Sequence, residues 1–214
     1  QYTISEAIKI LKKIASVKFD ETIDIAINLG IDTQQSDQAV RGVIDLPKGT
    51  GKTSKVAVFA RDEKAKEAKS AGADYVGAED LAESVEKGKI NFDRVVATPD
   101  MMAIVGKLGK ILGPKGLMPN PKLGSVTLEL DKVIKSIKAG QVEFRAEKAG
   151  IIHAGLGKVS FEENDILLNI ASFIESVKKA RPAGTKGQYL KKISIGSTMG
   201  PSLKIDLSSI DESK

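Results

Sequence analysis

The apolar residues of this chain change their period twice along its length. From 22 to 29, Ile23, Ile25, Ile27 and Leu29 alternate with Thr22, Asp24, Ala26 and Asn28, the period of a half-buried strand. Between about 50 and 140 short apolar runs alternate instead with helical patterns, which implies βαβ crossovers and a parallel sheet covered on both faces. From Gln141 the strand style returns. Ends of one style around a middle of another are most simply an α+β domain built from both termini and interrupted by an inserted domain, since termini commonly lie close together at a surface. The expected boundaries are 1–49 with 141–214 for the discontinuous α+β domain. The inserted three-layer α/β (Rossmann-like) domain covers 50–140. Pro47-Lys48-Gly49-Thr50-Gly51 and the neighbourhood of Gly140 are the expected linkers.

Individual elements follow from caps and periodicity. Thr3 and Glu6 have capping-box spacing, and Ile4, Ala7, Ile8, Leu11, Ile14 and Ala15 share one helical face. A second strand is expected around 40–46. In the middle, strands at 56–59, 73–76 and 94–97 alternate with helices at 62–71, 79–87 and 99–105, and a closing helix ends at Gly140. The C-terminal part should hold strands at 142–145, 151–153, 190–197 and 203–207, and a helix at 164–180 carrying Ile166, Leu167, Ile170, Phe173, Ile174 and Val177.

Composition removes several function classes. The chain of 214 residues has no cysteine, so disulfides, thiolate metal sites and cysteine nucleophiles are excluded, and a reducing, cytosolic compartment is expected. His153 is the single histidine, which removes His-rich zinc sites and ordinary Ser–His triads. No apolar stretch approaches the roughly 18 residues of a membrane span. The opening segment reads as an amphipathic helix and not as a signal peptide, and a few residues are expected to precede Gln1.

Two motifs suggest catalysis and fall short. Gly49-Thr50-Gly51-Lys52-Thr53 resembles the end of a phosphate loop, but the glycine needed earlier is replaced by Leu46, and a strand pattern follows where a helix is required. A phosphate-handling α/β enzyme built on that loop is the rival from another class. Gly196-Ser197-Thr198-Met199-Gly200 resembles a nucleophile elbow, with Thr198 in the nucleophile's place and only His153 to serve as its base.

Charge points elsewhere. Lys and Arg number 33 against 28 acids, a modest net +5. The stretch 106–124, GKLGKILGPKGLMPNPKLG, carries Lys107, Lys110, Lys115 and Lys122 and no acid; it reads as a long Gly/Pro-rich loop able to meet phosphates. Between Glu175 and Asp206 stand Lys178, Lys179, Arg181, Lys186, Lys191, Lys192 and Lys204, again without an acid. Outside these two stretches acids outnumber bases. Thr198 and Met199 occupy a Gly-Pro turn within the second, where a hydroxyl and a thioether could meet riboses and bases. Aromatic residues make up only 4%, so stacking should be sparse and folded RNA shape favoured.

The segment 106–122, together with Lys18-Phe19-Asp20-Glu21-Thr22, Ser36-Asp37-Gln38-Ala39-Val40-Arg41-Gly42 and Ser197-Thr198-Met199-Gly200-Pro201-Ser202, resembles the ribosomal protein L-one family, the stalk proteins of the large ribosomal subunit, in its bacterial form. The resemblance implies a non-enzymatic protein with its second domain inserted into the first. It implies binding to the 23S rRNA stalk, chiefly through the first domain, in the cytoplasmic ribosome. Assistance to deacylated tRNA leaving the exit site and repression of the protein's own operon mRNA are implied as well. Carried onto this chain, the RNA-binding positions are Lys18, Phe19, Glu21, Thr22, Thr198, Met199 and Gly200. Phe19 and Met199 would supply apolar contact, and Thr22 and Thr198 hydrogen bonds. The lysines at 107, 110, 115 and 122 become a secondary contact, reversing the order that charge alone suggests. No catalytic residue, metal, cofactor or membrane partner is implied, and the free protein is expected to be a monomer.

Overall fold

The first helix, α1 (Ile4–Ile14), is started by the residues that the sequence nominates. The Glu6 amide donates to Thr3 Oγ1 and the Thr3 amide donates to Glu6 Oε2 at 3.1 Å, closing a capping box, while Lys12 and Lys13 sit in the last turn where the helix dipole favours cations. In this computed structural model the described residues are 1–88, 90–185 and 187–208, and the side chains of Ser36, Asp62 and Lys122 also lie outside the description. After α1 come β1 (Thr22–Leu29) and β2 (Arg41–Asp45). The middle of the chain holds β3 (Val56–Phe59), α2 (Asp62–Ser70), β4 (Tyr75–Gly77), α3 (Glu79–Glu86), β5 (Arg94–Ala97), α4 (Met102–Lys107), α5 (Gly109–Leu112) and α6 (Leu130–Ala139). The last stretch holds β6 (Gln141–Arg145), β7 (Ile151–Lys158), α7 (Glu163–Lys179), β8 (Leu190–Ser197) and β9 (Leu203–Ile205).

The described chain divides into two compact units, Gln1–Gly51 with Gln141–Lys214, and Lys52–Gly140. The first is α+β. Its main sheet is antiparallel in the order β7-β1-β8-β9. Register places Ile25 beside Ala154 and Ile195, and Ile27 beside Ile152 and Ile193, so one face is continuously apolar. Onto that face α1 packs Ile4, Ala7, Ile8 and Leu11, and α7 packs Ile166, Ile170, Phe173, Ile174 and Val177. Each of these side chains larger than alanine contributes about 1.5–3 kcal/mol by leaving water. The opposite face of β1 carries Asp24, Ala26 and Asn28, as the alternation requires. A smaller sheet pairs β2 with β6, and Phe144 from β6 meets Phe173 edge-on with ring centres 5.5 Å apart.

The second unit is α/β, with a parallel sheet in the order β4-β3-β5. All four residues of β3 are buried because both faces are covered. Ala57 and Phe59 join a cluster with Val85, Met101, Val105, Leu108 and Leu112, whereas Val56 and Val58 join Ala68, Leu130, Ile134 and Ile137. Three layers result.

Three elements depart from expectation. β7 runs to Lys158, five residues past the expected end, because Gly155 and Gly157 interrupt the apolar pattern while keeping the strand. The final strand is shorter than expected, ending at Ile205. The stretch 106–124 is not an open loop. It is partly helical, through α4, α5 and a 3-10 turn at Pro121–Leu123, and buries Leu108 and Leu112 completely.

Candidate nucleic-acid interface

The end of β8 and the start of β1 are adjacent antiparallel strands, which brings Glu21 and Thr22 against Thr198 and Met199. The Thr198 amide donates to the Thr22 carbonyl at 3.1 Å, and the Thr22 amide donates to Thr198 Oγ1 at 3.0 Å. Beside this pair, the Met199 amide donates to Glu21 Oε2 at 2.9 Å. Gly200 closes the turn through its amide to the Ser197 carbonyl at 3.1 Å. Glu21, Thr22, Thr198 and Met199, distant in sequence, therefore meet across the two strands, with Gly200 in the same turn and Lys18 and Phe19 just before Glu21 in the chain.

Their exposure divides them. Met199 is 69% exposed and Phe19 54%, so neither side chain belongs to the core. Lys18 and Thr198 are also exposed, Thr22 and Gly200 partly so. Glu21 is different. At 2% exposed, it is buried beneath the turn and holds Met199 in place through its carboxylate.

Residues 158–160, which the sequence did not nominate, brace the surface from the β7 side. The Ser160 amide and hydroxyl both donate to the Asp20 carboxylate, at 3.1 and 2.7 Å. The Val159 amide donates to the Glu21 carbonyl at 2.9 Å, and Lys158 Nζ donates to Thr22 Oγ1 at 2.9 Å. Only the register Thr22 opposite Lys158 would have revealed them, and β7 was not expected to reach so far. Ile14 and Val17, just before Lys18 in the chain, are exposed apolar residues as well.

The other basic groups are more dispersed. Lys107 on α4, Lys110 on α5 and Lys115 just beyond are exposed and belong to the second unit; the Lys122 side chain lies outside the described residues. The second acid-free stretch splits among the end of α7, a turn and β8–β9. Lys179 pairs with Glu175 at 2.9 Å. The Arg181 guanidinium is used locally, on the Thr185 and Gly187 carbonyls and over the Tyr189 ring at 5.9 Å. Lys186 lies outside the described residues.

Neither catalytic motif acquires a site. Lys52 Nζ donates to Asp93 Oδ1 at 2.6 Å, and β3 follows it where a phosphate loop needs a helix. The Asp93 carboxyl is held below its usual range by Lys52 and by the Lys55 amide. The Thr198 hydroxyl is engaged by Thr22, and His153 pairs with Ala26, four residues further along β1.

The paired threonines thus sit in one edge with the exposed Met199, and Glu21, Asp20 and Lys158 hydrogen-bond to that edge or to its neighbours. Residues 11–201 match the sequence profile of the Ribosomal protein L1p/L10e family, nearly the whole chain. Among the described residues no helix is long and apolar enough to cross a membrane. The chain belongs to the ribosomal protein L1p/L10e family, and with it to the non-enzymatic, rRNA-binding proteins of the large ribosomal subunit in the cytoplasm.

Proposed function

We propose that the chain binds the stalk region of 23S rRNA through the surface made by Lys18, Phe19, Thr22, Thr198, Met199 and Gly200, with Glu21 as its support. The single observation behind this assignment is the reciprocal Thr22–Thr198 pair, which fixes the strand end next to the exposed Met199 and three residues from the exposed Phe19. Rigid presentation lowers the ordering cost of binding. An apolar pair flanked by hydroxyls suits RNA, whose unstacked bases and 2′-hydroxyls offer matching groups. In this proposal the unit built from both chain ends is the rRNA-binding domain. The inserted unit, with Lys107, Lys110, Lys115 and Lys122, supplies a secondary RNA contact.

Two further roles belong to the same proposal. A protein anchored to the stalk by one unit is free to meet exit-site tRNA with the other, and so to assist release of deacylated tRNA. A messenger that folds like the stalk would compete for the same surface, allowing repression of the protein's own operon. The free protein is proposed to be a monomer. Competition filter binding tests this directly, with labelled stalk rRNA displaced by unlabelled operon leader. Displacement at comparable concentrations is expected, and leader RNA that fails to compete overturns the repressor role while leaving rRNA binding intact.

A further inference from the structure

Lys158 faces Thr22 in register across β7 and β1, and its ammonium donates to Thr22 Oγ1 at 2.9 Å and to the Asp20 carbonyl at 3.3 Å. An ammonium has only donors, so it occupies a lone pair of the Thr22 hydroxyl and leaves the hydroxyl proton to point elsewhere. Among the described residues no acceptor takes that proton: the other bonds of Thr22 use its backbone amide and carbonyl, both to Thr198. Nor can the side chain easily turn away. β-Branched residues are stiff about χ1, and the Thr22 methyl occupies space left by Gly155, where an added Cβ would lie 3.2 Å from Thr22 Cγ2. Thr22 is partly exposed at the edge that carries Phe19 and Met199.

We propose that Lys158 is a positioning residue of the RNA interface, orienting Thr22 so that its hydroxyl donates outward to an acceptor atom of the RNA. The proposal rests on the assignment of 18–22 and 198–200 as the interface. Lys158 acts from beneath, through Thr22, and not as a cation laid on phosphate. It makes the contact directional: the position accepts an RNA oxygen or ring nitrogen and disfavours an N–H.

A double-variant cycle tests this, with the full chain titrated against a folded fragment of large-subunit rRNA in filter binding. Thr22→Val and Lys158→Met should each weaken affinity about tenfold, the loss of one hydrogen bond to the ligand. The double variant should also lose about tenfold, because both changes remove the same bond. The slope of log affinity against log salt should stay at the wild-type value in Lys158→Met. Losses that multiply to about a hundredfold overturn the proposal, as does a slope shallower by roughly 0.7 to 0.9, the sign of a cation removed from phosphate itself. Should Lys158→Met not fold, Thr22→Ser against Thr22→Val decides: serine recovering most of the affinity lost in valine supports the outward donor, and equal losses overturn it. Unchanged affinity in Thr22→Val, with affinity lost in Met199→Ala, sinks this proposal and spares the interface. Unchanged affinity in both sinks the interface and the proposal together.

Discussion

Thr22 and Thr198 lock to each other in both directions, amide to hydroxyl at 3.0 Å and amide to carbonyl at 3.1 Å, across 176 residues of sequence. Thr198→Val keeps the side-chain shape and removes the acceptor of the Thr22 amide. We expect a loss of about 0.5–1.5 kcal/mol in stability, the net worth of one hydrogen bond at a partly exposed site that water can re-enter. Thr198→Ser should recover most of it. Urea denaturation of the three proteins, read at the unfolding midpoint, checks the order.

Phe19 and Met199 should behave in the opposite way. Both are exposed, so truncation to alanine should change stability by no more than about 0.5 kcal/mol. Each should nonetheless weaken rRNA binding about tenfold or more, since buried apolar anchors carry much of an interface's energy. A melting curve and a binding isotherm on each variant separate the two effects.

Gly200 tests the geometry of the turn. A Cβ placed there would lie 2.3 Å from Ser197 Oγ, and Ser197 is buried. Gly200→Ala should cost about 1–3 kcal/mol through overpacking. Ser197→Ala in the same chain should return most of that loss, a non-additivity expected of touching residues.

Asn169 is fully buried in the apolar face of α7, yet it is saturated with partners. Its side-chain amide donates to the Gly49 and Leu156 carbonyls at 2.9 and 2.7 Å, and its oxygen accepts from the Lys48 amide at 3.1 Å. Asn169→Leu should cost about 3 kcal/mol or more, because three backbone groups lose their partner at once. Thermal unfolding of this variant, compared with Asn169→Asp, reports it.

Tyr189 provides a pH signature. Burial raises its phenol from 10.0 to about 12, against the opposing charge of Arg181. The folded state therefore holds the proton that the unfolded chain gives up. This contribution to stability is full below pH 10 and is lost as pH rises from there through about 12. Its hydroxyl has no hydrogen-bond partner among the described residues, so Tyr189→Phe should be neutral or stabilising, and should flatten the decline of stability with pH in that window. Denaturation midpoints of both proteins across the window give the comparison.

How much was legible in the sequence depended on whether the signal was local. The alternation of Ile23 to Leu29 and the Thr3–Glu6 box are written in neighbouring residues, and both elements formed. β7 was cut short at His153 because Gly155 and Gly157 carry no side chain to show the period. With the end of β7 hidden, the brace of Lys158, Val159 and Ser160 on residues 20–22 was hidden too, since it joins positions about 140 residues apart. In the stretch 106–124 glycine and proline suggested an open path, while Leu108 and Leu112 entered the core. Glu21 was named for contact; its carboxylate turned out to support Met199 from beneath.

One comparison tests the central claim most directly. Affinity for the folded stalk rRNA is measured by filter binding for Phe19→Ala/Met199→Ala and for Lys107→Ala/Lys110→Ala/Lys115→Ala, across a salt series. The account predicts that the first chain loses specific binding with the salt slope unchanged. The second should bind nearly as tightly as wild type, with at most a shallower slope. Specific binding retained in the Phe19/Met199 variant and lost in the lysine variant would contradict it.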